Sequence, residues 1–489
     1  MQLCKIFVPL RYKLLEMKKI IALLLIIATL AGILFYRSNI HEREVVVLST
    51  NDIHAVIDNF PELVTAVNRC RDSVTTVLVD SGDRWTGNAF IDRVEGRLPI
   101  IELMNHAGYD AVAIGNHEFD KGPAVLQGAI DYAHFPTLCA NMQSNNPAIT
   151  TPRGSITLKL RNGVKIFIAG VVTNYDNGHP DGSDEVFTGL EFTDPMEAAK
   201  RELENRGDAN IAILLSHMGD DKDMKFASEN SGYNMIVSGH THMRVDTLVG
   251  KTSIGQTERL LNLLGVTRIR LKGSKVVSID YENISLEGYA EDSDTREIVD
   301  RIENDPVLGA VVGQLADSVT QIGFANMMTK AVAQATNADI GFYHYGGVRL
   351  RKHAAGDIKL ATVYNLEPFE SKIHTITMTP AQMRQMIITK YNDTKNSKES
   401  HRVDLFSTTP YDIIVDERGE AVDVHFPLLR ENRKYSVALS DYVGKKYENI
   451  KGDNHTKQDI LVVDQLLKNL KKSPITPIDN QPHQKIIKQ

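Results

Sequence analysis

Short continuous runs of apolar residues, many of them β-branched, alternate with helix-like stretches between residues 44 and 285. The runs that predict buried strands are EVVVLST, TTVLVDS, DAVAIG, KIFIAGVV, NIAILLS and YNMIVSG, and the segments with helical spacing are PELVTAVNRCRD, LPIIELMNHAG and DPMEAAKRELENR. A strand that is buried on one face alternates apolar and polar residues, whereas these runs are apolar throughout. They therefore predict an α/β domain with a mostly parallel sheet that helices cover on both faces.

The length of 489 residues exceeds what one hydrophobic core usually holds, so we expect roughly two or three domains. The pattern places a first domain at 43–286, an acidic linker at 287–300 and a second domain of mixed helical and strand pattern at 301–470. In the second domain SKIHTITM predicts a strand, and Thr379 with Pro380 predicts the N-cap and first turn of a helix. Residues 471–489 are rich in Pro, Lys and Gln, which predicts a disordered tail.

An apolar run from Ile20 to Tyr36 follows two lysines near the N-terminus. This layout is typical of a secretory signal or of a single membrane anchor. We therefore interpret residues 1–42 as a leader. The mature chain is expected to be exported, either periplasmic or facing outward on a membrane tether formed by residues 20–36. The sequence leaves open whether the leader is cleaved.

Charge and cysteine content exclude several kinds of site. The net charge is −7 and the chain has no basic stripe, which argues against an extended nucleic acid as a partner. The three cysteines are Cys4, Cys70 and Cys139, and Cys4 lies before the apolar leader, so at most one disulfide can form. The sequence leaves open whether Cys70 and Cys139 pair. The absence of any CxxC motif excludes a thiolate zinc site.

Five apolar runs are followed by residues with oxygen or imidazole donors. In open α/β sheets, ligands bind beyond the carboxyl ends of the strands. Each motif alone is weak evidence, because a single histidine is usually structural or exposed and a glycine beside it can mark a plain turn. Their coincidence at successive strand ends instead predicts one site, with the candidate residues Asp52, His54, Asp83, Asn116, His117, Asp120, His217, His240 and His242.

Donors from Asp, Asn and His without Cys suit Zn²⁺, Mn²⁺, Co²⁺ or iron. The candidate ligands are too many for one tetrahedral ion, and they fit two divalent ions that share a carboxylate. Asp83, which lies between the two groups along the chain, is the natural bridging residue. Two neighbouring ions generate a hydroxide and neutralise the oxygens of an in-line displacement, which is the chemistry that phosphate esters need.

The neutral side chain of Asn116 fits this chemistry. An aspartate at this position would cancel positive charge that attracts a phosphate dianion, whereas the amide oxygen of asparagine completes the coordination and leaves the charge unchanged. His117 beside it is then available to stabilise developing charge or to protonate the leaving group, and Asp120 orients its ring. We therefore predict that His117 and Asp120 form a catalytic pair.

The motifs Asp-x-His, Gly-Asp, Gly-Asn-His-Glu, a lone His and Gly-His-x-His, in this order, resemble the signature of the calcineurin-like metallophosphoesterases. The chain after its leader resembles the bacterial 5′-nucleotidase family. The resemblance implies a layered sandwich of two sheets flanked by helices and a separate C-terminal substrate-binding domain of α+β or α/β type. It also implies two metal sites, one formed by Asp52, His54, Asp83 and His242 and the other by Asp83, Asn116, His217 and His240.

The C-terminal motifs match this family less closely. ADIGFYHYGGVR resembles the family's Ala-Asp-Ile…Asn-Gly-Gly-Gly-Ile-Arg, which implies that Arg349 binds phosphate. NLEPFESKIHTITM resembles the entry to the Pro-Phe-Gly-Asn strand, and ALSDYVGKKY stands at the second aromatic, so Phe369 and Tyr442 are implied to stack on a base. The alternatives are a surface ion pair for Arg349 and core packing for either aromatic residue. The chain departs from the family where His344 or Tyr345 replaces an asparagine, where an additional arginine is missing, and where Gly-Gly-Asp is absent.

The sequence thus predicts an exported phosphomonoesterase that hydrolyses 5′-nucleotides to nucleoside and phosphate. In this prediction a metal-activated hydroxide attacks the phosphorus and His117 assists the leaving group. The alternatives within the enzyme class are a 2′,3′-cyclic-nucleotide phosphodiesterase/3′-nucleotidase and a nucleotide-sugar hydrolase that uses the same metals. Outside that class, the chain could be a binding protein that its metals stabilise, but a purely structural site has no use for the pair of His117 and Asp120. The metal, the base preference and the oligomeric state stay open.

Overall fold

A computed structural model describes residues 4–39, 41–174, 178–393, 403–446, 451–472, 474–475 and 477–489. Contacts between the residues divide the chain into two units, which are described separately below. The first unit comprises Met1–Trp85 and Glu95–Val299, and the second comprises Thr86–Val94 and Asp300–Gln489. A short segment from the N-terminal part of the chain therefore belongs to the second unit.

Six strands of the first unit correspond to the six apolar runs that predicted buried strands, and its other strands lie outside those runs. In chain order they are β1 Glu42–Thr50, β2 Thr76–Asp80, β3 Ala111–Ala113, β4 Thr137–Leu138, β5 Met142–Ser144, β6 Ser155–Lys159, β7 Lys165–Val172, β8 Leu190–Phe192, β9 Ile211–His217, β10 Met235–Ser238, β11 Arg244–Val249, β12 Thr252–Thr257, β13 Leu263–Lys272 and β14 Lys275–Ser285. The helices up to the unit boundary are α1 Cys4–Asn39, α2 Phe60–Ser73, α3 Ala89–Asp92, α4 Leu98–Ala107, α5 Pro123–Tyr132, α6 Pro195–Glu202, α7 Asp220–Glu229 and α8 Ser293–Glu303. Of these, α3 belongs to the second unit and α8 crosses the boundary.

Two six-stranded sheets form the framework of the first unit in the described part of the chain. One has the order β14-β13-β1-β2-β3-β4 and the other the order β11-β12-β10-β9-β7-β6. The pairs β1–β2, β2–β3 and β3–β4 are parallel, as are β7–β9, β9–β10 and β10–β12, whereas β6, β11, β13 and β14 add antiparallel edges. The apolar pattern alone predicted one mostly parallel sheet, and the structure instead has two sheets with parallel centres.

Alternate residues of each central strand face different apolar layers, which explains why the runs are apolar throughout. Val45 and Val47 of β1 share one buried cluster with Ile213 and Leu215 of β9, so this layer lies between the two sheets. On the other face of the second sheet, Leu214 packs in a cluster with residues of α6 and α7. Both faces of these strands are buried, and the predicted layered α/β sandwich is confirmed.

Helix α1 is 36 residues long, and from Ile20 to Tyr36 apolar residues lie on all sides of the helix. Its segment Glu16–Tyr36 is long and apolar enough to cross a bilayer, and none of it is buried against the rest of the chain. Length and composition of this kind are equally typical of a secretory signal sequence.

The second unit combines a mixed sheet with smaller strand pairs and packed helices. Its strands are β15 Val311–Leu315, β16 Val319–Thr320, β17 Ile340–His344, β18 Lys352–His353, β19 Gly356–Lys359, β20 Lys372–Met378, β21 Leu405–Ser407, β22 Tyr411–Val415, β23 Ala421–His425, β24 Tyr435–Ser440, β25 Asp453–Leu461 and β26 Gln484–Lys488. Its remaining helices are α9 Gln321–Thr336, α10 Leu360–Leu366, α11 Pro380–Asp393, α12 Asp441–Lys446 and α13 Val462–Leu470. The main sheet has the order β21-β17-β24-β20-β25. The predicted strand 371–378 and the helix that starts after Thr379 correspond to β20 and α11.

The predicted disorder of residues 471–489 is wrong for the described part of this tail. Strand β26 pairs in parallel with β22, and Gln484 is buried. Asn480 accepts a hydrogen bond from the backbone N–H of Thr320 at 2.8 Å and donates to the carbonyl of Ser318 at 2.9 Å. Composition suggested disorder, but specific side-chain hydrogen bonds and one strand pairing order the segment. In the first unit, Cys70 and Cys139 are free thiols.

Candidate metal centre

The carboxyl ends of the central strands carry every residue that the sequence assigned to the metals. In the first sheet, Asp52 and His54 follow β1, Asp83 follows β2, and Asn116 follows β3. In the second sheet, His217 is the last residue of β9, and the loop after β10 carries His240 and His242. Because these strands are parallel within each sheet, their donor-bearing ends lie at the same edge.

The donor atoms of these loops converge into three overlapping groups. Within each group the ligand atoms lie within 4.8 Å of one another, and the groups are Asp52/His54/His242, His54/Asp83/His117 and Asp83/His217/His240. Asp83 and His54 each belong to two groups, so Asp83 has the position expected of a bridging carboxylate. Asn116 joins the last group, because its Oδ1 lies 3.1 Å from Nδ1 of His240.

His117 also falls into one of the groups, although the sequence assigned it to proton transfer and not to a metal. Its Nδ1 lies 2.8 Å from Oδ2 of Asp120, so the predicted pair is in hydrogen-bond contact. A carboxylate accepts, and Nδ1 therefore carries the proton and leaves Nε2 as the second functional nitrogen. The backbone N–H of His117 donates to Oδ1 of Asp83 at 2.9 Å, which ties the loop after β3 to the loop after β2.

The backbone around the donors is strained. Positive φ angles occur at five of the proposed ligands, namely Asp52 (48°), His54 (50°), Asp83 (59°), His240 (79°) and His242 (56°). Residues with a Cβ adopt this region rarely, at a cost on the order of 1–3 kcal/mol each when the surroundings impose it. Such strain clusters at functional sites, so this concentration is independent support for a site here.

Two glycines allow the loops after β2 and β3 to touch. Gly82 has a φ of 101°, and a Cβ added to it would lie 2.5 Å from the backbone N of Gly115. A Cβ on Gly115 would collide with the carboxylate of Asp83. A larger residue at Gly82 would therefore push the two loops apart, and one at Gly115 would displace the carboxylate of Asp83.

The contact between His217 and Asp83 shows whether a cation would fit between these two donors. Nδ1 of His217 lies 2.9 Å from the carbonyl oxygen of Ser81, so Nδ1 donates and Nε2 presents a lone pair when the ring is neutral. That Nε2 lies 3.1 Å from Oδ2 of Asp83, and it has no hydrogen-bond partner in the described residues. Two acceptors at this distance repel each other unless a cation, either a proton or a metal ion, lies against them.

The charges of the donors fit divalent cations. Burial raises the pKa of Asp83, but His217 and His117 hold that pKa well below its usual value, so this buried carboxylate is ionised. At Asp52 burial also acts upward, and His242 and His217 together keep the pKa below its usual value. Burial lowers the pKa of His54 to about 3, and burial with the charge of His217 lowers that of His240 to about 4. At His217 burial lowers the pKa, but Asp83 raises it to about 10, so a proton on Nε2 takes the place that a metal ion would take against Asp83. Carboxylate oxygens and imidazole nitrogens, without a thiolate, are the ligands that zinc, manganese, cobalt and iron accept.

Glu118, to which the sequence analysis gave no role, connects the loops that carry the donors. Its fully buried carboxylate accepts hydrogen bonds from the backbone N–H groups of Asp83 at 2.9 Å, Arg84 at 2.9 Å and Gly115 at 2.6 Å. It therefore fixes the loop after β2 against the loop after β3. The signal for this role was its place in the Gly-Asn-His-Glu motif, but sequence alone does not reveal that the side chain points inward.

Asn51 is a second positioning residue that the sequence analysis missed. Its Nδ2 donates to Oδ2 of Asp52 at 2.8 Å and to the carbonyl of Glu258 at 2.6 Å. Its Oδ1 accepts from the N–H of Thr257 at 2.8 Å and from the Thr257 hydroxyl at 2.7 Å. All the hydrogen-bonding groups of this amide are used, and they connect the carboxylate of Asp52 to the backbone of residues 257 and 258.

Replacing Glu118 by alanine is expected to lower stability and metal affinity together. The change leaves three buried N–H groups without an acceptor, at about 1–3 kcal/mol each, so the free energy of unfolding should fall by about 3 kcal/mol or more. Loss of such an outer partner should weaken metal binding by about 10- to 100-fold. Chemical denaturation and metal titration measure both, and the exposed Glu229→Ala in the same unit is the matched control. Unchanged metal affinity in Glu118→Ala would contradict the assigned role.

The three residues implied to bind substrate lie in the second unit. The guanidinium of Arg349 lies over the ring of Phe369, 5.3 Å from its centroid. Tyr442 stacks on His344 with a centroid distance of 4.5 Å and an interplanar angle of 21°. Phe369 and Tyr442 are 39% and 41% exposed, so core packing accounts for neither ring.

Comparison with known families agrees with this geometry. Residues 45–244 match the family model of the calcineurin-like phosphoesterases, and residues 306–452 match that of the 5′-nucleotidase C-terminal domain. The chain belongs to this two-domain 5′-nucleotidase family. Membership confirms the family and the two-domain fold class predicted from the sequence.

Similar proteins share both domains of this 5′-nucleotidase-family chain. The trifunctional nucleotide phosphoesterase protein YfkN of Bacillus subtilis is 26% identical over 482 residues, which cover 82% of this chain and 32% of YfkN. Protein UshA of Yersinia enterocolitica is 26% identical over 452 residues, 79% of each chain. This chain spans about a third of the length of YfkN and of two other curated relatives. The crystal structure of a 5′-nucleotidase precursor from Thermus thermophilus has a TM-score of 0.77 at 16% identity and covers 91% of this chain and 99% of its own, which shows the same fold.

Proposed function

We propose that this chain is an exported phosphomonoesterase that hydrolyses 5′-nucleotides at a centre of two divalent cations. The observation that carries the proposal is the convergence of the three donor groups, which share Asp83 and His54, beside the hydrogen-bonded pair of His117 and Asp120. A binding protein stabilised by its metals would need the donors but not this pair.

Each metal would have its own set of ligands in this proposal. One cation is held by Asp52, His54, Asp83 and His242, and the other by Asp83, Asn116, His217 and His240. When bound, the two cations supply an activated water nucleophile and neutralise the charge that develops on the phosphoryl oxygens. The ionised Asp83 and the neutral rings of His54 and His240 would receive a cation without a protonation change. Burial lowers the pKa of His217, but Asp83 raises it to about 10, so His217 would release its Nε2 proton when a cation binds.

His117 would act on the leaving group. Its Nδ1–H donates a hydrogen bond to Asp120. This bond fixes the ring and leaves Nε2 to face the metal centre. From there Nε2, when protonated, donates a proton to the departing ribose oxygen. Asn116 contributes a neutral oxygen, so the centre keeps net positive charge for a phosphate dianion.

Recognition of the nucleotide would come from the second unit. The exposed rings of Phe369 and Tyr442 offer faces on which a base stacks, and Arg349 offers a planar donor fork that suits phosphate. The second candidate function is hydrolysis of a wider range of nucleotide phosphoesters. It is supported by the similarity to YfkN, which is named a trifunctional nucleotide phosphoesterase. The departures from the family motifs point in the same direction: His344 or Tyr345 replaces an asparagine, an additional arginine is missing, and Gly-Gly-Asp is absent.

Export would depend on α1. Its apolar segment Glu16–Tyr36 has the length of a membrane span and follows basic residues, which supports either a cleaved signal or a tether.

The deciding experiment is a substrate panel. The full chain, purified in detergent, is assayed for phosphate release from 5′-AMP, 3′-AMP, 2′,3′-cyclic AMP, a UDP-sugar and 4-nitrophenyl phosphate, with Mn²⁺, Co²⁺ or Zn²⁺ and after chelation. We expect the highest kcat/KM for the 5′-nucleotide and loss of all turnover after chelation. A preference for the cyclic or 3′ substrate would replace the first candidate function by the second.

Replacing Phe369 by alanine is expected to raise KM for 5′-AMP and to leave turnover of 4-nitrophenyl phosphate nearly unchanged. Stacking of a base on an aromatic ring is worth about 1–3 kcal/mol, so KM should rise by about fivefold to a hundredfold. The conservative Phe369→Tyr keeps the ring and should stay near wild type. Equal losses on both substrates would show that Phe369 serves the fold and not the base.

A further inference from the structure

Glu367, in the second unit, is a buried carboxylate for which the family motifs give no role. It is the C-cap residue of α10 and is fully buried. Its Oε1 accepts the hydroxyl proton of Ser371 at 2.7 Å and the N–H of Ser371 at 3.3 Å. These two hydrogen bonds close the turn 367–371 into a clasp with Phe369 at its tip.

The clasped turn is strained, and its tip is exposed. Glu370 has a φ of 54°, a left-handed conformation that residues with a Cβ avoid, and in the resembling motif Pro-Phe-Gly-Asn this position is glycine. Arg93 holds the turn from the other side, since its guanidinium bonds the carboxylate of Glu370 and lies 3.9 Å from the ring centroid of Tyr364. Strain of this kind persists only where surrounding contacts fix the conformation.

The same carboxylate is linked to the second exposed aromatic ring, Tyr442, through Tyr343 and His344. The hydroxyl of Tyr343 donates to Oε1 of Glu367 at 3.4 Å. The ring of Tyr343 stacks on His344 at 5.3 Å and 25°, and His344 stacks on Tyr442 at 4.5 Å and 21°. His344 is therefore the middle ring of a stack that ends in Tyr442.

Burial of a carboxylate is costly unless its hydrogen bonds repay the lost hydration. Burial raises the pKa of Glu367, and the Ser371 hydroxyl opposes that rise. Its second oxygen, Oε2, has no hydrogen-bond partner in the described residues, so the hydrogen bonds of this carboxylate are those that Oε1 accepts from Ser371 and Tyr343. An apolar residue would fill this position at lower cost if packing were its only task.

We propose that Glu367 is a positioning residue that holds the two exposed aromatic rings, Phe369 through Ser371 and Tyr442 through Tyr343 and His344, in the arrangement that binds the base. The proposal rests on the proposed function, because it requires that these rings contact the nucleotide. Glu367 itself is buried and does not touch the substrate. Its effect is therefore on nucleotide binding and not on the chemistry at phosphorus.

The test separates ring position from folding by using mild substitutions in the full-length enzyme. Ser371→Ala removes the clasp hydroxyl, and Tyr343→Phe removes the hydroxyl that joins Glu367 to the stack while it keeps the ring. Glu367→Gln retains an acceptor oxygen, and Glu367→Leu removes it. The matched control is Thr379→Ala, which removes a comparable side-chain hydrogen bond, 3.1 Å to Gln382, at the start of α11 in the same unit.

The expected result is a change in KM alone. Ser371→Ala and Tyr343→Phe should each raise KM for 5′-AMP by about two- to tenfold, as a lost hydrogen bond allows, with kcat and the turnover of 4-nitrophenyl phosphate within about twofold. Glu367→Leu should raise KM further, and Glu367→Gln should restore it to near wild type. Ser371→Ala should add nothing in a Phe369→Ala background but should act in full in a Tyr442→Ala background.

Two failures can be distinguished. If Phe369→Ala and Tyr442→Ala leave KM for 5′-AMP unchanged, the base site is absent, and both the proposed substrate site and the role of Glu367 are overturned. If those two variants raise KM but Ser371→Ala and Tyr343→Phe do not, only the role of Glu367 is overturned. Equal losses on both substrates, or full additivity of Ser371→Ala with Phe369→Ala, would likewise show that the clasp serves stability and not ring position.

Discussion

Replacing His117 by asparagine is expected to lower turnover of 5′-AMP by about 10²- to 10⁴-fold, the usual contribution of a general acid, while both metal ions stay bound. The reason is geometric. His117 is held through a hydrogen bond from Nδ1 to Asp120, which belongs to none of the three clusters of metal donors. Nε2 is therefore the atom available for proton transfer. Asparagine preserves polarity and approximate size but has no proton to transfer at neutral pH.

The metal content decides between two roles for His117. Its nitrogen lies within 4.8 Å of donor atoms of His54 and Asp83, which is compatible with a ligand as well as with an acid. Metal analysis of His117→Asn, together with kcat measured on 5′-AMP, separates them, and the exposed His134→Asn serves as the matched control. Full metal content with greatly reduced turnover supports the acid, whereas loss of one ion would make His117 a ligand.

Much of the fold was readable because burial on both faces leaves a direct mark on the sequence. The runs KIFIAGVV and NIAILLS became β7 and β9, and the helical segments became α2, α4 and α6. The pattern could not reveal strand partners, because an apolar run looks the same whether its neighbour belongs to the same sheet or to a facing one. The division into two sheets therefore came from the family resemblance and not from periodicity.

The candidate ligands could be predicted for a similar reason, since strand ends are recognisable and parallel strands bring their ends together. Glu118 and Asn51 could not, because their roles depend on which way a side chain points and on backbone N–H groups that every residue has. The prediction for the tail was wrong in the opposite way. Its composition is that of a disordered segment, but in its described residues, 471–472, 474–475 and 477–489, specific contacts of Asn480 and Gln484 hold the chain in place.

Replacing Asp83 by asparagine is expected to remove the second cation and to lower turnover by at least about 10²- to 10³-fold, the scale of one lost electrostatic stabiliser. Asp83 is the donor common to the group with His54 and His117 and the group with His217 and His240, so its charge is shared. Asparagine is nearly isosteric and still accepts the hydrogen bond from the N–H of His117, so the loops should keep their positions.

Metal stoichiometry by elemental analysis, with kcat measured in parallel, tests the bridging role of Asp83. The matched control is Asp80→Asn, because Asp80 is also a fully buried carboxylate at the end of β2 but binds Thr50 and the N–H of Gly82 instead of joining a donor group. The control should keep both ions. If Asp83→Asn also kept both ions and its turnover, the proposed bridging role of Asp83 would be contradicted. In that variant His217 Nε2 would face a neutral amide, and the centre would function without the shared charge.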